Sequence, residues 1–341
     1  MNFNGVFKNK RILITGHTGF KGAWLCSWLH QLGANVIGFS DQEYYLFSAL
    51  NLATSIEHWS GDIRDLGRLK KCFETSKPEL VIHLAAQALV SQGYQESRLT
   101  METNILGTIN LLECCLAFSP KALLIVTSDK VYAPNFVARN ENAPLGGICP
   151  YSSSKSAVEI VVLGYQKLLS RTSIATARAG NVLGVGDRGK DRLLTDIIQA
   201  WENKNTVRIR FPEATRPWQH VLDCLHGYLL LAEKLLQGQA QGAWNFAPQE
   251  SFSVQAFIDV VQTFDFVDIK FEIVENQIQE NLFLQLDSGK ARQLLGWNPK
   301  YSFREILELV FRDEFQLKQM MSSQQLREMI SNRIDAFSNK K

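Results

Sequence analysis

Residues Arg11 to Gly16 form a short β-prone run that breaks into Gly16-His17-Thr18-Gly19-Phe20-Lys21-Gly22, after which Trp24, Leu25, Trp28 and Leu32 recur at helical spacing. A strand that passes through a glycine turn straight into a helix opens a parallel β-α-β unit. Glycines there let the backbone come close to a pyrophosphate, while the free N–H groups and dipole at the helix start favour its charge. The spacing Gly16-x-x-Gly19-x-x-Gly22 differs from the commoner Gly-x-Gly-x-x-Gly and points toward one branch of dinucleotide binders.

The following segments extend that unit. Asn35 to Phe39 read as a second strand that ends at Ser40-Asp41, about 20 residues past the turn, the distance at which an acid meets the adenosine ribose. Asp41 at that place favours NAD over NADP, and it equally suits a plain turn. Gly61-Asp62-Ile63 follows a third strand, with Asp62 placed to meet the adenine edge. Val81 to Ala86 read as a fourth strand whose small end, Ala85 and Ala86, leaves room for the cofactor to pass. Helical patterns near 65–75 and 98–117 alternate with these runs, and Ala122 to Val126 form a fifth, wholly apolar strand. The pattern predicts a Rossmann-type, doubly wound parallel sheet.

Thr127-Ser128-Asp129-Lys130 leaves the fifth strand at the carboxyl edge, where open α/β sheets bind ligands. Some twenty positions later Tyr151-x-x-x-Lys155 opens a segment in which Val158, Val161, Val162, Tyr165 and Leu168 keep helical spacing. Residues four apart share one helical face, so the phenol and the ammonium address one site. A cation beside a tyrosine lowers its pKa from about 10 toward the value a general base needs.

Length and composition bound the rest. At 341 residues the chain accommodates about two domains, and 45% hydrophobic with 21% charged residues is ordinary for a soluble protein. Residues 1–180 are expected to form the dinucleotide-binding domain, and 181–341 mainly a smaller mixed α/β lobe for substrate, with some segments returning to the first. A net charge of +2 argues against nucleic acid or a membrane surface as partner. No apolar run reaches the roughly 18 residues needed to span a bilayer, and Met1 to Lys10 lack a signal-peptide pattern, so a cytoplasmic protein is expected. The six cysteines lie mostly in apolar segments without Cys-x-x-Cys spacing, and the histidines lack metal-ligand spacing, so no metal is expected. In the second lobe, Asp187-Arg188-Gly189-Lys190-Asp191-Arg192, Arg208-Ile209-Arg210 and Arg216 offer guanidinium forks suited to a diphosphate, with Arg188, Lys190 and Arg208 equally suited to a solvated surface.

In this order and combination, Gly16-x-x-Gly19-x-x-Gly22, Asp62 and Tyr151-x-x-x-Lys155 resemble the extended short-chain dehydrogenase/reductase family. Gly61-Asp62-Ile63-Arg64-Asp65, Thr127-Ser128-Asp129-Lys130, Arg178-Ala179-Gly180-Asn181-Val182 and Arg216-Pro217-Trp218-Gln219-His220 are similar to its sugar-nucleotide epimerase/dehydratase branch, on the dehydratase side. The resemblance implies a hydro-lyase that converts a nucleotide-diphosphate hexose, CDP-glucose in the first instance, to a 4-keto-6-deoxy sugar. Its NAD would stay tightly bound and be recycled in each turnover. Cofactor contacts are implied for Gly16, Thr18, Gly19, Phe20, Gly22, Asp41, Asp62, Ile63, Ala85, Ala86, Asn104, Tyr151 and Lys155, and sugar-nucleotide contacts for Asn181, Arg192, Arg210 and Arg216. Tyr151, held near phenolate by Lys155, would act as base, Ser128 would bind the sugar oxygen at C4, and Asp129 with Lys130 would remove water across C5 and C6. Asn104 would position the lysine through water.

Departures from the family pattern also stand out. Lys130 occupies a position where related dehydratases carry Glu, Cys149 one that usually holds Asp, and Arg188 one that usually holds Trp. The family's usual homodimer would pair 98–117 with 151–170, and Ile105, Ile109, Leu112 and Leu116 suit either that interface or packing on the sheet. An epimerase or reductase of the same superfamily is the first alternative, and a non-catalytic NAD-binding sensor the second.

Overall fold

In a computed structural model that describes residues 3–134, 137–274, 283–320 and 322–340, β1 (Arg11–Thr15) lies inside a seven-stranded sheet. The others are β2 (Asn35–Ser40), β3 (Glu57–Ser60), β4 (Leu80–His83), β5 (Ala122–Val126), β6 (Ser173–Ala179) and β7 (Gly242–Phe246). Every neighbouring pair is parallel, in the order 3-2-1-4-5-6-7. The strand order reverses between β1 and β4, which opens a crevice at their carboxyl ends.

Helices cover both faces: α1 (Phe20–Gln31), α2 (Leu66–Ser76), α3 (Gly107–Phe118), α4 (Pro150–Gln166), α5 (Leu193–Asn203), α6 (Val221–Leu236), α7 (Phe303–Leu317) and α8 (Ser323–Asn339). Because successive strand residues face opposite ways, Ile12, Ile14 and Leu124 pack with Trp24, Trp28, Leu225 and Phe337 of α1, α6 and α8. Leu13, Val81 and Leu123 pack instead with Phe73, Leu111 and Val158 of α2, α3 and α4. Thus α6 and β7, late in the chain, join the layers of the large sheet. A third core, with Ile197, Ile198, Phe257 and Phe311, builds a smaller lobe around α5 and α7. It carries short pairs such as Thr206–Ile209 with Lys270–Ile273 and Thr215–Arg216 with Phe252–Ser253.

Two sequence expectations shift. The fourth strand stops at His83 rather than Ala86, because Leu84 to Ala86 leave the sheet to pass over Gly16. The helix expected near 98–117 is in three pieces: Ser97–Met101, a π-helical turn Glu102–Leu106, and α3. The wide turn accommodates one extra residue, and it carries Asn104 inward.

Candidate active site

The β1–α1 turn forms a cradle that side chains would fill. Gly16 sits at φ +71°, and a Cβ there would lie 2.6 Å from the Ala85 nitrogen. At Gly22 a Cβ would meet the Gly16 carbonyl at 2.3 Å. Gly19 caps α1 without a side-chain hydrogen bond, and no acidic residue occupies the first turn, so the helix presents open N–H groups to an anion. These features fit the pyrophosphate of a dinucleotide. Thr18, fully buried, braces the turn: its hydroxyl donates to the Gln42 carbonyl at 2.7 Å and lies 2.8 Å from Ser40 Oγ, which can donate to it. Phe20 reaches the cavity described below.

Farther along the crevice, Asp41 is exposed just past β2, and Ala85 and Ala86 are half-buried. Asp62 is engaged by its neighbour: Oδ1 accepts from the Arg64 backbone at 2.8 Å and Oδ2 from its guanidinium at 2.6 Å. The Arg64 side chain holds its pKa below the usual carboxylate range. Ile63 is buried, and its carbonyl accepts from Asn110 at 3.1 Å. Asn104 clamps the crossing from β4 to α4, donating to the Gln87 carbonyl and to Ser154 Oγ while accepting from the Gln87 amide. It meets Lys155 through this helix contact, not directly.

Helix α4 starts on a Cys149 cap, and Pro150 stands at its first position. Cys149 Sγ accepts from the Ser152 amide while Ser152 Oγ accepts from the Cys149 amide. The box therefore survives although cysteine stands where an aspartate is usual. It fixes the first turn, and with it Tyr151, against the end of β5. Ser128, Asp129, Lys130 and Tyr151 line one cavity of about 540 Å³. Lys155 is buried behind them and donates to the Val126 carbonyl at 3.3 Å.

Asp129 is 4% exposed. Its Oδ1 accepts from Ser128 Oγ at 3.0 Å, and its buried Oδ2 has no hydrogen-bond partner among the described residues. Burial raises its pKa, against the pull of Lys130, Ser128, Arg216 and Arg139. The proposed phenolate fares differently. Burial pushes Tyr151 up to about 12, opposed first by the Ser128 hydroxyl, and pushes Lys155 down from 10.5 to about 7. In the protein alone, burial is the largest influence on both groups.

Asn181, Arg192, Arg210 and Arg216 all reach the same cavity. Arg192 is ion-paired with Asp187 at 2.7 Å, and Arg216 is buried, donating to the Thr215 carbonyl at 2.8 Å. Arg208 is largely exposed. Arg188 is not a solvated charge: its guanidinium forks onto fully buried Glu314 of α7 at 2.9 and 2.7 Å, which leaves that carboxylate paired.

Two features of the site lie outside the sequence reading. Lys21, inside the glycine turn, faces the cavity, and burial lowers its pKa within reach of Arg192, Asp129 and Asp187. It also adds to the depression at Lys155. Glu159, one turn beyond Lys155, accepts from Thr127 Oγ1, from Thr176 Oγ1 at 2.8 Å and from Arg178 at 2.9 and 2.7 Å. Arg178 donates in turn to Tyr132, whose hydroxyl donates to Asn245 of β7. This buried network ties β5, β6 and β7 to the helix bearing Tyr151. The four-residue spacing Tyr151–Lys155–Glu159 was its signal in the sequence.

Residues 13–310 match the family model described as GDP-mannose 4,6 dehydratase. The chain is 38% identical to a CDP-glucose 4,6-dehydratase of Salmonella typhimurium over 88% of this chain and 89% of that protein. It is 25% identical to a UDP-glucose 4-epimerase of Pisum sativum, covering 88% and 94%. In structure it is similar to a UDP-glucose 4-epimerase of Thermotoga maritima, solved with UDP-glucose, with a TM-score of 0.83 at 24% identity, covering 91% of this chain and 99% of that one.

Proposed function

The chain belongs to the family described as GDP-mannose 4,6 dehydratase, and on that premise we propose that it dehydrates a nucleotide-diphosphate hexose, CDP-glucose in the first instance, to the 4-keto-6-deoxy sugar nucleotide. The observation that carries this reading is Asp129: a buried carboxyl beside Lys130 whose Oδ2 has no partner among the described residues, on the floor of the cavity that holds Tyr151. Oxidation and epimerisation at C4 need Tyr151 and Lys155 but no such acid. Elimination needs one. The 38% identity to a CDP-glucose 4,6-dehydratase supports the same choice.

The Gly16–Gly22 cradle, the open start of α1 and the gap at Ala85 and Ala86 fit NAD, with Asp41 toward the adenosine ribose. Bound there, NAD supplies a hydride acceptor at C4 of the sugar and a hydride donor at C6. Tyr151 removes the proton of the 4-hydroxyl, whose oxygen Ser128 hydrogen-bonds. The carbonyl formed at C4 acidifies the hydrogen at C5, which Lys130 removes. Asp129, whose burial favours the protonated form, gives its proton to the departing 6-hydroxyl. Lys155 orients the tyrosine and the cofactor ribose, and Arg192, Arg210 and Arg216 hold the diphosphate with Asn181 beside it.

A homodimer completes the assembly. Leu112 is buried and Leu116 packs on the sheet-side core, so these two serve the fold. Apolar residues left outside include Leu106, Ile160 and Leu163, which are 45%, 60% and 61% exposed on the π-helical turn and α4. We place the dimer contact on that face.

Incubation of the NAD-loaded protein with CDP-glucose tests the reading. A product that absorbs in alkali, as 4-keto-6-deoxy sugars do, is expected. Conversion to the C4 epimer, or no product from any common nucleotide-glucose, overturns it.

A further inference from the structure

The cavity is lined by two parts of the molecule. The hexose end is the polar floor of Ser128, Asp129, Lys130 and Tyr151. The small lobe contributes Leu193, Ile209, Phe211, Val254 and Leu284 to the lining, beside Arg208 and Arg210, and α5 adds Asp196 to it. The Asp196 side chain makes no hydrogen bond or ion pair among the described residues; Asp191 and Arg210 act on it only as nearby charges. A half-buried carboxylate without a hydrogen-bond partner is costly unless a ligand supplies the donor.

Given the proposed dehydratase reading, on which this inference rests, the substrate fills the cavity in a fixed order. The hexose takes the floor, Arg192 and Arg210 take the diphosphate, and the base is left for the small-lobe end. A carboxylate only accepts hydrogen bonds. It therefore matches a base edge that donates, and it opposes one that presents a carbonyl oxygen. Cytosine offers its 4-amino group, while uracil and thymine hold a carbonyl at the same place. We infer that Asp196 selects the cytosine base of the substrate, making the protein specific for a cytidine diphosphate sugar against its uridine and thymidine counterparts. Asp196 acts on which nucleotide enters and takes no part in the chemistry at C4 to C6.

The test compares the wild-type protein with Asp196→Asn, whose amide also donates and so accepts a uracil carbonyl. The ratio of kcat/KM for CDP-glucose to that for UDP-glucose should fall by about 10- to 100-fold in the variant, the range of one good base contact. Calorimetry with CMP and UMP on the NAD-loaded proteins reads the same preference without chemistry. Wild type should bind CMP more tightly, and the variant should lose that preference while its melting temperature stays put. If wild type converts CDP-glucose and the variant keeps the same ratio, or if wild type binds UMP as tightly as CMP, the inference is overturned. Tighter binding of GMP than of CMP, abolished by the substitution, would assign the carboxylate to a purine and overturn it as well. CMP preference lost in the variant, with no keto product from any sugar nucleotide in wild type, would uphold Asp196 and sink the dehydratase reading instead.

Discussion

Lys155 lies inside the fold with its ammonium held by one backbone carbonyl at 3.3 Å, and burial lowers its pKa from 10.5 to about 7. The sign of the consequence follows from linkage. Between about pH 7 and the unfolded value, the unfolded chain binds more protons than the folded one, so this residue's contribution to stability rises with pH through that window. Below it both states are protonated and the full cost of burying the cation remains. Lys155→Met should therefore be more stable than wild type at pH 6, by on the order of 1–3 kcal/mol, with the gap shrinking toward pH 10, and it should lose turnover. Urea denaturation at the two pH values checks this; a variant less stable at pH 6 would show that the cation is satisfied in the fold. The same desolvation keeps Tyr151 protonated in the protein alone, so tyrosine and lysine are both poised away from their charged forms.

Among the elements, α4 does more than carry Tyr151 and Lys155. Glu159, 3% exposed, and Arg178, 5% exposed, form a buried pair that also fastens Thr127, the residue before Ser128. Removing one partner leaves the other charge uncompensated. Glu159→Gln should cost about 3–5 kcal/mol in chemical denaturation, and in protein that remains folded kcat should fall more than KM rises, because the floor of the site and not the nucleotide end is displaced. An unchanged kcat would make the network structural only. Such parts were unevenly legible in the sequence. β1 and β5 could be read because strands buried on both faces are short, continuous apolar runs, and the glycine turn because its spacing has a steric cause. The π-helical turn at Glu102–Leu106 could not, since one extra residue in a helix leaves little trace in apolar spacing. Arg188 and Glu314 are 126 positions apart, and no local pattern links them. Lys21 sits inside a motif whose spacing marks only its glycines.

At the scale of the whole molecule, the sheet supplies the carboxyl edge, the lobe around α5 and α7 closes the proposed nucleotide end, and one face of α4 is left apolar. Leu163→Asp on that face should convert a dimer to a monomer in light scattering at micromolar concentration; a wild-type protein already monomeric would contradict the assembly proposed. The central claim is that one cavity removes a hydride at C4 and puts it back at C6 after losing water. CDP-glucose deuterated at C4 tests this most directly, with the product examined by NMR. The account predicts a 4-keto-6-deoxy product that carries the deuterium at C6. Deuterium washed out to solvent, or retained at C4 of an epimerised sugar, would contradict it.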